Sequence, residues 1–183
     1  MIDAMREARV RGWSLVGLAF CVMMMAVALG LEHLGGLEPC PLCIFQRVAV
    51  IAAGVVFAVA ALHDPKGRLG GALYGLLSLG AVGTGIGLAW RHLWLQSLPA
   101  DEVPSCGPGL DYMMEVLPLQ QVVSMVLNAS GECAEISARF LGLSLPGWTL
   151  IGFVMLAVVP LGLLWRACRS RTGYRWSEDA PQD

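Results

Sequence analysis

The stretch PCPLCIFQRVAVIAAGVVFAVAAL, residues 39–62, decides the architecture. From Ile44 to Leu62 its only charged side chain is Arg47. A run of this length and apolarity matches the ~20 residues a helix needs to cross a hydrocarbon core. Working outward, three further blocks have the same character: Trp13 to Leu31, Leu69 to Trp90 and Trp148 to Ala167. The chain is 56% hydrophobic and 14% charged, whereas soluble domains carry about 25% charged residues. This excludes an ordinary soluble domain and gives no reason to expect a nucleic-acid partner. The expected fold class is an all-α membrane protein, a four-transmembrane-helix bundle embedded in the lipid bilayer.

Arg6, Arg9 and Arg11 precede the first block in the manner of a secretory signal. Its apolar run is longer than the ~7–15 residues of a signal core, and no small-residue cleavage site follows. It therefore reads as an uncleaved first span. Positive charge then orients the chain. Arg6, Arg9, Arg11, Lys66, Arg68, Arg166, Arg169, Arg171 and Arg175 fall on one side, nine of the twelve basic residues. Arg47, Arg91 and Arg139 fall on the other, with most of the acids. The positive-inside rule places both termini in the cytoplasm.

The expected single domain runs 1–183. Its segments are cytoplasmic 1–13, span 14–31, periplasmic 32–43, span 44–62, cytoplasmic 63–68, span 69–90, periplasmic 91–146, span 147–167 and cytoplasmic 168–183. The outer compartment is oxidising in a bacterium, and disulfides persist there.

Glycines in the third block, Gly71-x-x-x-Gly75 and Gly83-x-Gly85-x-Gly87, suit close helix–helix approach. They do not make a nucleotide loop, because no strand precedes them. Pro160 interrupts the fourth block, which membrane helices tolerate. The outer loop, about Arg91 to Pro146, is long enough to carry function. Its apolar middle, Tyr112 to Leu127, is broken by Pro118. It reads as a short amphipathic helix on the membrane surface, with packing on a soluble partner as the alternative.

Cys40 and Cys43 bracket Pro41 at the mouth of the second span. Proline is suited to the first position of a helix, which makes Cys40 the capping residue and puts Cys43 in the first turn. The positive end of the helix dipole stabilises a thiolate there. Arg47 follows Cys43 at i+4 and shares its face. A cation so close to lipid is a functional candidate by default. Its expected role is to stabilise the Cys43 thiolate and an electron-accepting group beside it; snorkelling to head groups is the simpler reading. The same cysteine spacing also fits half of a zinc site, with His33 or His92 as further ligands.

Cys106 and Cys133 lie in the long outer loop, each among turn-forming residues. A disulfide between them would contribute ~3 kcal/mol as a structural staple. The alternative is exchange, with Cys106 in a stretch that an external thiolate can reach. Cys21 and Cys168 read as bystanders, since a lone thiol is usually a small hydrophobe. His92 is placed either to hydrogen-bond a bound head group or as an ordinary interfacial histidine. Gln46 suggests no role.

The Leu37-Glu38-Pro39-Cys40-Pro41-Leu42-Cys43-Ile44-Phe45-Gln46-Arg47 stretch and the second pair in the last outer loop resemble the bacterial disulfide bond formation protein B family. So do Gly131-Glu132-Cys133-Ala134-Glu135 and Phe140-Leu141-Gly142-Leu143 before Pro146. The resemblance covers nearly the whole chain. It implies an inner-membrane thiol oxidase that reoxidises a periplasmic thioredoxin-like disulfide oxidase (DsbA-type) and passes electrons to membrane quinone, ubiquinone or menaquinone. Carried over, Cys106 takes the partner's attack and Cys106/Cys133 exchanges with Cys40/Cys43. Cys43 then delivers electrons beside Arg47, with His92 as a second quinone-binding residue and no metal required. The rivals are a relative resembling vitamin K epoxide reductases and a non-catalytic four-helix protein with structural disulfides or a Cys/His metal site.

Overall fold

A computed structural model describes residues 10–65, 67–99, 102–103, 110–129, 131–134 and 139–169. Cys106 lies outside them, so its expected place in the second pair carries no geometry. Four long helices make up the body: α1 (Val10–His33), α2 (Pro41–His63), α3 (Arg68–Gln96) and, last in the chain, α6 (Leu145–Arg169). All four are long and apolar enough to cross a membrane. Large apolar side chains point outward at helical spacing, as with Val48, Ile51, Val55 and Val59 on α2. In lipid such a face needs no cover.

The helices alternate in direction, and side-chain contacts identify the two ends. At one end the Arg11 backbone N–H donates to Asp64 Oδ1 at 3.3 Å, and Arg68 Nε donates to the Ala167 carbonyl at 3.2 Å. Asp64 closes α2 with a left-handed backbone, φ 39°. The opposite end gathers the start of α2, the ends of α1 and α3, and the start of α6.

α3 packs most extensively on α6, and glycine makes the approach possible. A Cβ on Gly85 would stand 2.2 Å from the ring of the buried Phe153, and one on Gly75 2.9 Å from Leu164. Gly83 and Gly87 face outward, where a Cβ would meet nothing. Successive i+2 positions are ~200° apart on a helix, so the three glycines cannot share an interface. Cys21 is buried against Gly54, and Cys168 is exposed at the far end. Neither touches the first cysteine pair.

The outer loop forms a cap. α4 (Leu110–Val116) and α5 (Leu119–Ala129) are separated at Leu117–Pro118, where the proline was expected to break the helix. Two short helices therefore replace the one expected. Their inner residues Met113, Val122 and Val126 bury against Leu42 of α2 and Leu95 of α3. A 3₁₀ turn, Gly131–Ala134, follows, then the strands β1 (Arg139–Phe140) and β2 (Leu143–Ser144) in an antiparallel hairpin. Its two-residue turn has both φ values positive, Leu141 at 52° and Gly142 at 83°, the geometry of a type I′ turn.

If Gly85 sets the α3–α6 distance, Gly85→Ala should lose about 1–3 kcal/mol through overpacking. Gly83→Ala and Gly87→Ala should unfold at or above the parent temperature in the same detergent. Equal melting of all three variants would contradict this assignment.

Candidate active site at the outer end of the bundle

Pro41 opens α2 at its first position, with Cys40 as the flanking residue at φ −69° and ψ 163°. Cys40 thus occupies the capping position but makes no side-chain cap bond. Its sulfur is engaged elsewhere. Cys40 Sγ hydrogen-bonds Cys43 Sγ at 2.9 Å and lies 3.8 Å from His92 Nε2. The sulfur of Cys133 lies close enough to interact with it electrostatically. The 3₁₀ turn carries Cys133 under the cap, where it is fully buried in the cluster with Leu42 and Leu95. Its sequence neighbours suggest an open loop; the packed turn is the correction.

The Cys40–Cys133 contact has an electrostatic consequence. The hydrogen bond from Cys40 lowers the Cys133 thiol from its ordinary 9.0 to about 7, against the opposing effect of burial. Cys40 is pushed strongly upward, by its hydrogen bonds to Cys133 and Cys43 and then by burial. Cys40 therefore holds the proton, and Cys133 is the sulfur that ionises near neutrality. The Cys133 thiolate persists above about pH 7 and is lost below it.

His92 is 2% exposed and Gln46 4%. The Gln46 amide Nε2 sits 3.3 Å from His92 Nδ1. Held this way, the amide donates to Nδ1 and leaves an Nε2–H aimed at the Cys40 sulfur. On the other side of the dithiol, Arg47 forms an ion pair with Glu32 at the end of α1. Its second nitrogen reaches the Ala28 carbonyl at 3.4 Å. Arg47 is thus fixed by α1 and does not snorkel freely.

A cavity of about 380 Å³ lies between these groups, within the usual ~300–1,000 Å³ range of ligand pockets. Met23, Met24 and Leu31 supply apolar wall, and Cys40, Cys43, Gln46, Arg47, Glu32 and His92 supply the polar side. This shape fits a flat apolar ring with polar substituents.

Five of the six expected site residues, Cys40, Cys43, Cys133, Arg47 and His92, therefore meet at one place; Cys106 falls outside the described residues. His33 does not join them: its Nδ1 bonds the Leu29 carbonyl of its own helix. Two participants were not singled out in the sequence, Glu32 and Gln46. Glu32 had a detectable signal, since an acid at the end of an apolar span needs a partner as much as Arg47 does. Gln46 had only its polarity between Phe45 and Arg47.

Removing the Cys40 donor should raise the Cys133 pKa. Carbon-13 NMR of labelled cysteine in the reduced protein should place the Cys133 midpoint near 7, and Cys40→Ala should move it toward 9. An unmoved midpoint would show that Cys40 does not set it.

Comparison with known proteins gives a consistent result. The family model described as "Disulfide bond formation protein DsbB" matches residues 10–163. A "Disulfide bond formation protein B" from Chromohalobacter salexigens is 58% identical over 165 residues, 90% of this chain and 95% of that one. One from Nitrosococcus oceani is 49% identical, covering 86% and 91%. A third, from Stutzerimonas stutzeri, is 44% identical, covering 90% and 99%.

Proposed function

The chain belongs to the disulfide bond formation protein B family, and from that premise we propose that Cys106/Cys133 and Cys40/Cys43 form a two-step relay for electrons from a soluble dithiol to membrane quinone. The chain is a multi-pass membrane oxidoreductase acting on thiols. The relay, its acceptor and its partner, a periplasmic thioredoxin-like disulfide oxidase, are the proposal. So is the placing of the site at the periplasmic face of the inner membrane, which rests on the distribution of Lys and Arg.

One observation carries the reading: the Cys40 sulfur hydrogen-bonds Cys43, and the buried Cys133 is brought into its neighbourhood by the cap. Disulfide exchange needs a thiolate in line with the sulfur it attacks. A partner thiolate attacks Cys106 in the Cys106–Cys133 disulfide and releases the Cys133 thiolate. Cys133, released as a thiolate, attacks Cys40 in the Cys40–Cys43 disulfide and releases Cys43 beside the cavity. The partner's second thiol resolves its link to Cys106 and leaves oxidised. The Cys106 thiolate then attacks Cys133, restores the outer disulfide and frees Cys40. The net change is one disulfide formed in the partner and one reduced at Cys40/Cys43.

Quinone, when bound, accepts two electrons and two protons. The residues fit that task. Arg47, paired with Glu32, places a permanent charge on the cavity wall within one helical turn of Cys43. His92 holds a proton against the Cys40 sulfur, and Gln46 fixes the ring that does so. The apolar wall from α1 keeps water from the reacting sulfur. A strongly oxidising partner also requires a sink of still higher potential, because each 30 mV uphill costs about 1.4 kcal/mol.

Cys133→Ala removes the internal resolving thiol. The Cys106 thiolate can then join only an oxidised partner, by attacking its disulfide, and the covalent complex should accumulate on a non-reducing gel because no Cys133 thiol releases it forward. None forming, even when the partner-side thiol expelled in that step is blocked by alkylation, would overturn the role of Cys106. Arg47→Ala should raise the apparent quinone KM by about 10-fold or more, the loss of one charge-assisted contact of at least ~1.4 kcal/mol. Glu32→Ala, which frees the guanidinium without removing it, should raise KM less. Unchanged quinone kinetics in Arg47→Ala would count against its place at the acceptor.

A further inference from the structure

We propose that the reduced form of this protein binds a zinc ion through Cys40 Sγ, Cys43 Sγ and His92 Nε2, and that the metal holds the dithiol out of exchange until it is removed. The zinc is a reversible inhibitor, not a resident cofactor, and electron transfer needs none. The three donor atoms lie within 4.8 Å of one another, the one such group of three among the described residues. Tetrahedral zinc with its usual bond lengths sets two sulfurs about 3.8 Å apart and a sulfur and a nitrogen about 3.6 Å apart. The Cys40–His92 separation is already 3.8 Å. The Cys40–Cys43 pair, now 2.9 Å, must open by roughly 1 Å, a side-chain adjustment in the first helical turn, and Cys43 already lies within 4.8 Å of His92.

The surroundings carry the argument further than the spacing does. Zinc-binding histidines almost always anchor their other ring nitrogen on a hydrogen-bond acceptor, which orients the ring. Gln46 stands at His92 Nδ1, 3.3 Å away and buried. A glutamine serves both states of the ring. With its NH₂ toward Nδ1 it leaves an Nε2–H for the sulfur. With its amide turned over, Oε1 accepts from Nδ1–H, and the Nε2 lone pair is free to ligate. All three ligand residues also line the cavity, which gives the ion a route in and leaves its fourth position open to water.

The balance is simple. Zn²⁺ replaces one proton on each thiol, two protons leave, and no electron moves. The Cys40–Cys43 disulfide has no thiolate to offer, so only the reduced form binds. Metal uptake requires neither quinone nor soluble partner. Only the inhibitory consequence rests on the proposed relay, and a failure there would leave the binding result standing.

The test uses the full chain in detergent with Cys21→Ala, Cys106→Ser, Cys133→Ser and Cys168→Ser, so that two thiols remain. Zn²⁺ is titrated against a chromophoric chelator, and Co²⁺ serves as the optical probe. The reduced protein should take one zinc, release about two protons, and give thiolate-to-cobalt charge transfer with tetrahedral visible bands. The disulfide form should take none. His92→Ala should abolish the tetrahedral cobalt spectrum, and Gln46→Leu should weaken zinc at least 10-fold, the usual loss when a supporting hydrogen bond to a ligand is removed.

Equal uptake by the oxidised form, or by Cys43→Ser, would overturn the site. So would the absence of uptake in reduced protein with unchanged helical circular dichroism. Should the four substitutions impair folding, the unsubstituted reduced chain decides the question: zinc should protect Cys40 and Cys43 from maleimide, as read by peptide mapping. Unprotected Cys40 and Cys43 would reject the proposal.

Discussion

The outer end of this bundle depends on one constraint: polar side chains embedded in apolar helices must satisfy one another, because lipid offers them nothing. Arg47 and Gln46 are neighbours on α2, facing different helices. Arg47 turns to Glu32 on α1 and Gln46 turns to His92 on α3. These two pairs tie α2 to both neighbours at the level of the first cysteines, and so fix the rotation of the helix that carries Cys43. The apolar packing further down, where Phe153 seats on Gly85 and Phe57 on Gly17, holds the helices together but brings no polar group to the cysteines. The pairs that build the electrostatic site also hold its geometry.

The same constraint makes the three sulfurs unequal. The Cys40 carbonyl accepts the first α2 hydrogen bond, from Ile44 N–H, but its side chain makes no cap bond; its sulfur is free to bond Cys43 and to face Cys133. A proton kept on Cys40 favours a thiolate on Cys133. Neutral and ionised sulfurs alternate because like charges so near each other repel strongly in a poorly solvated site. That inequality belongs to the reduced form; in the proposed relay, direction comes from Cys40 standing between Cys133 and the Cys43 beside the cavity.

Much of this was legible in the sequence. The four spans follow from composition alone, since ~20 apolar residues have few other stable destinations in water or lipid. Pro41 marked the start of α2, Pro118 the break in the cap, and Cys43 with Arg47 the shared helix face. What escaped was pairing between elements. Arg47 and Glu32 are 15 residues apart and Gln46 and His92 are 46 apart, so each pairing depends on how the helices are rotated, which hydropathy does not encode. The glycine run misled in a related way: its period of two looks like one feature, yet only Gly85 faces α6. Cys133 was hidden differently, because Gly131-Glu132 reads as loop and nothing local says that the following thiol is buried.

The length of α3 explains how the cap reaches the site at all. Its 29 residues extend roughly 43 Å at 1.5 Å per residue, more than the ~30 Å hydrocarbon core. The last turns of α3 reach the cap, where Leu95 enters the cap cluster and Arg91 lies 4.2 Å over the ring of Trp94 while donating to the Leu127 carbonyl near the end of α5. α3 is therefore both a span and a post for the outer loop. One post presents His92 to Cys40 from below and anchors the helices that deliver Cys133 from above. Because both contacts are referred to the same helix, a shift of α3 along its axis moves His92 and the cap together. The placement of Cys133 relative to His92 is thus preserved, and the start of α2, held by Gln46 to the same His92, is the element that must keep in step.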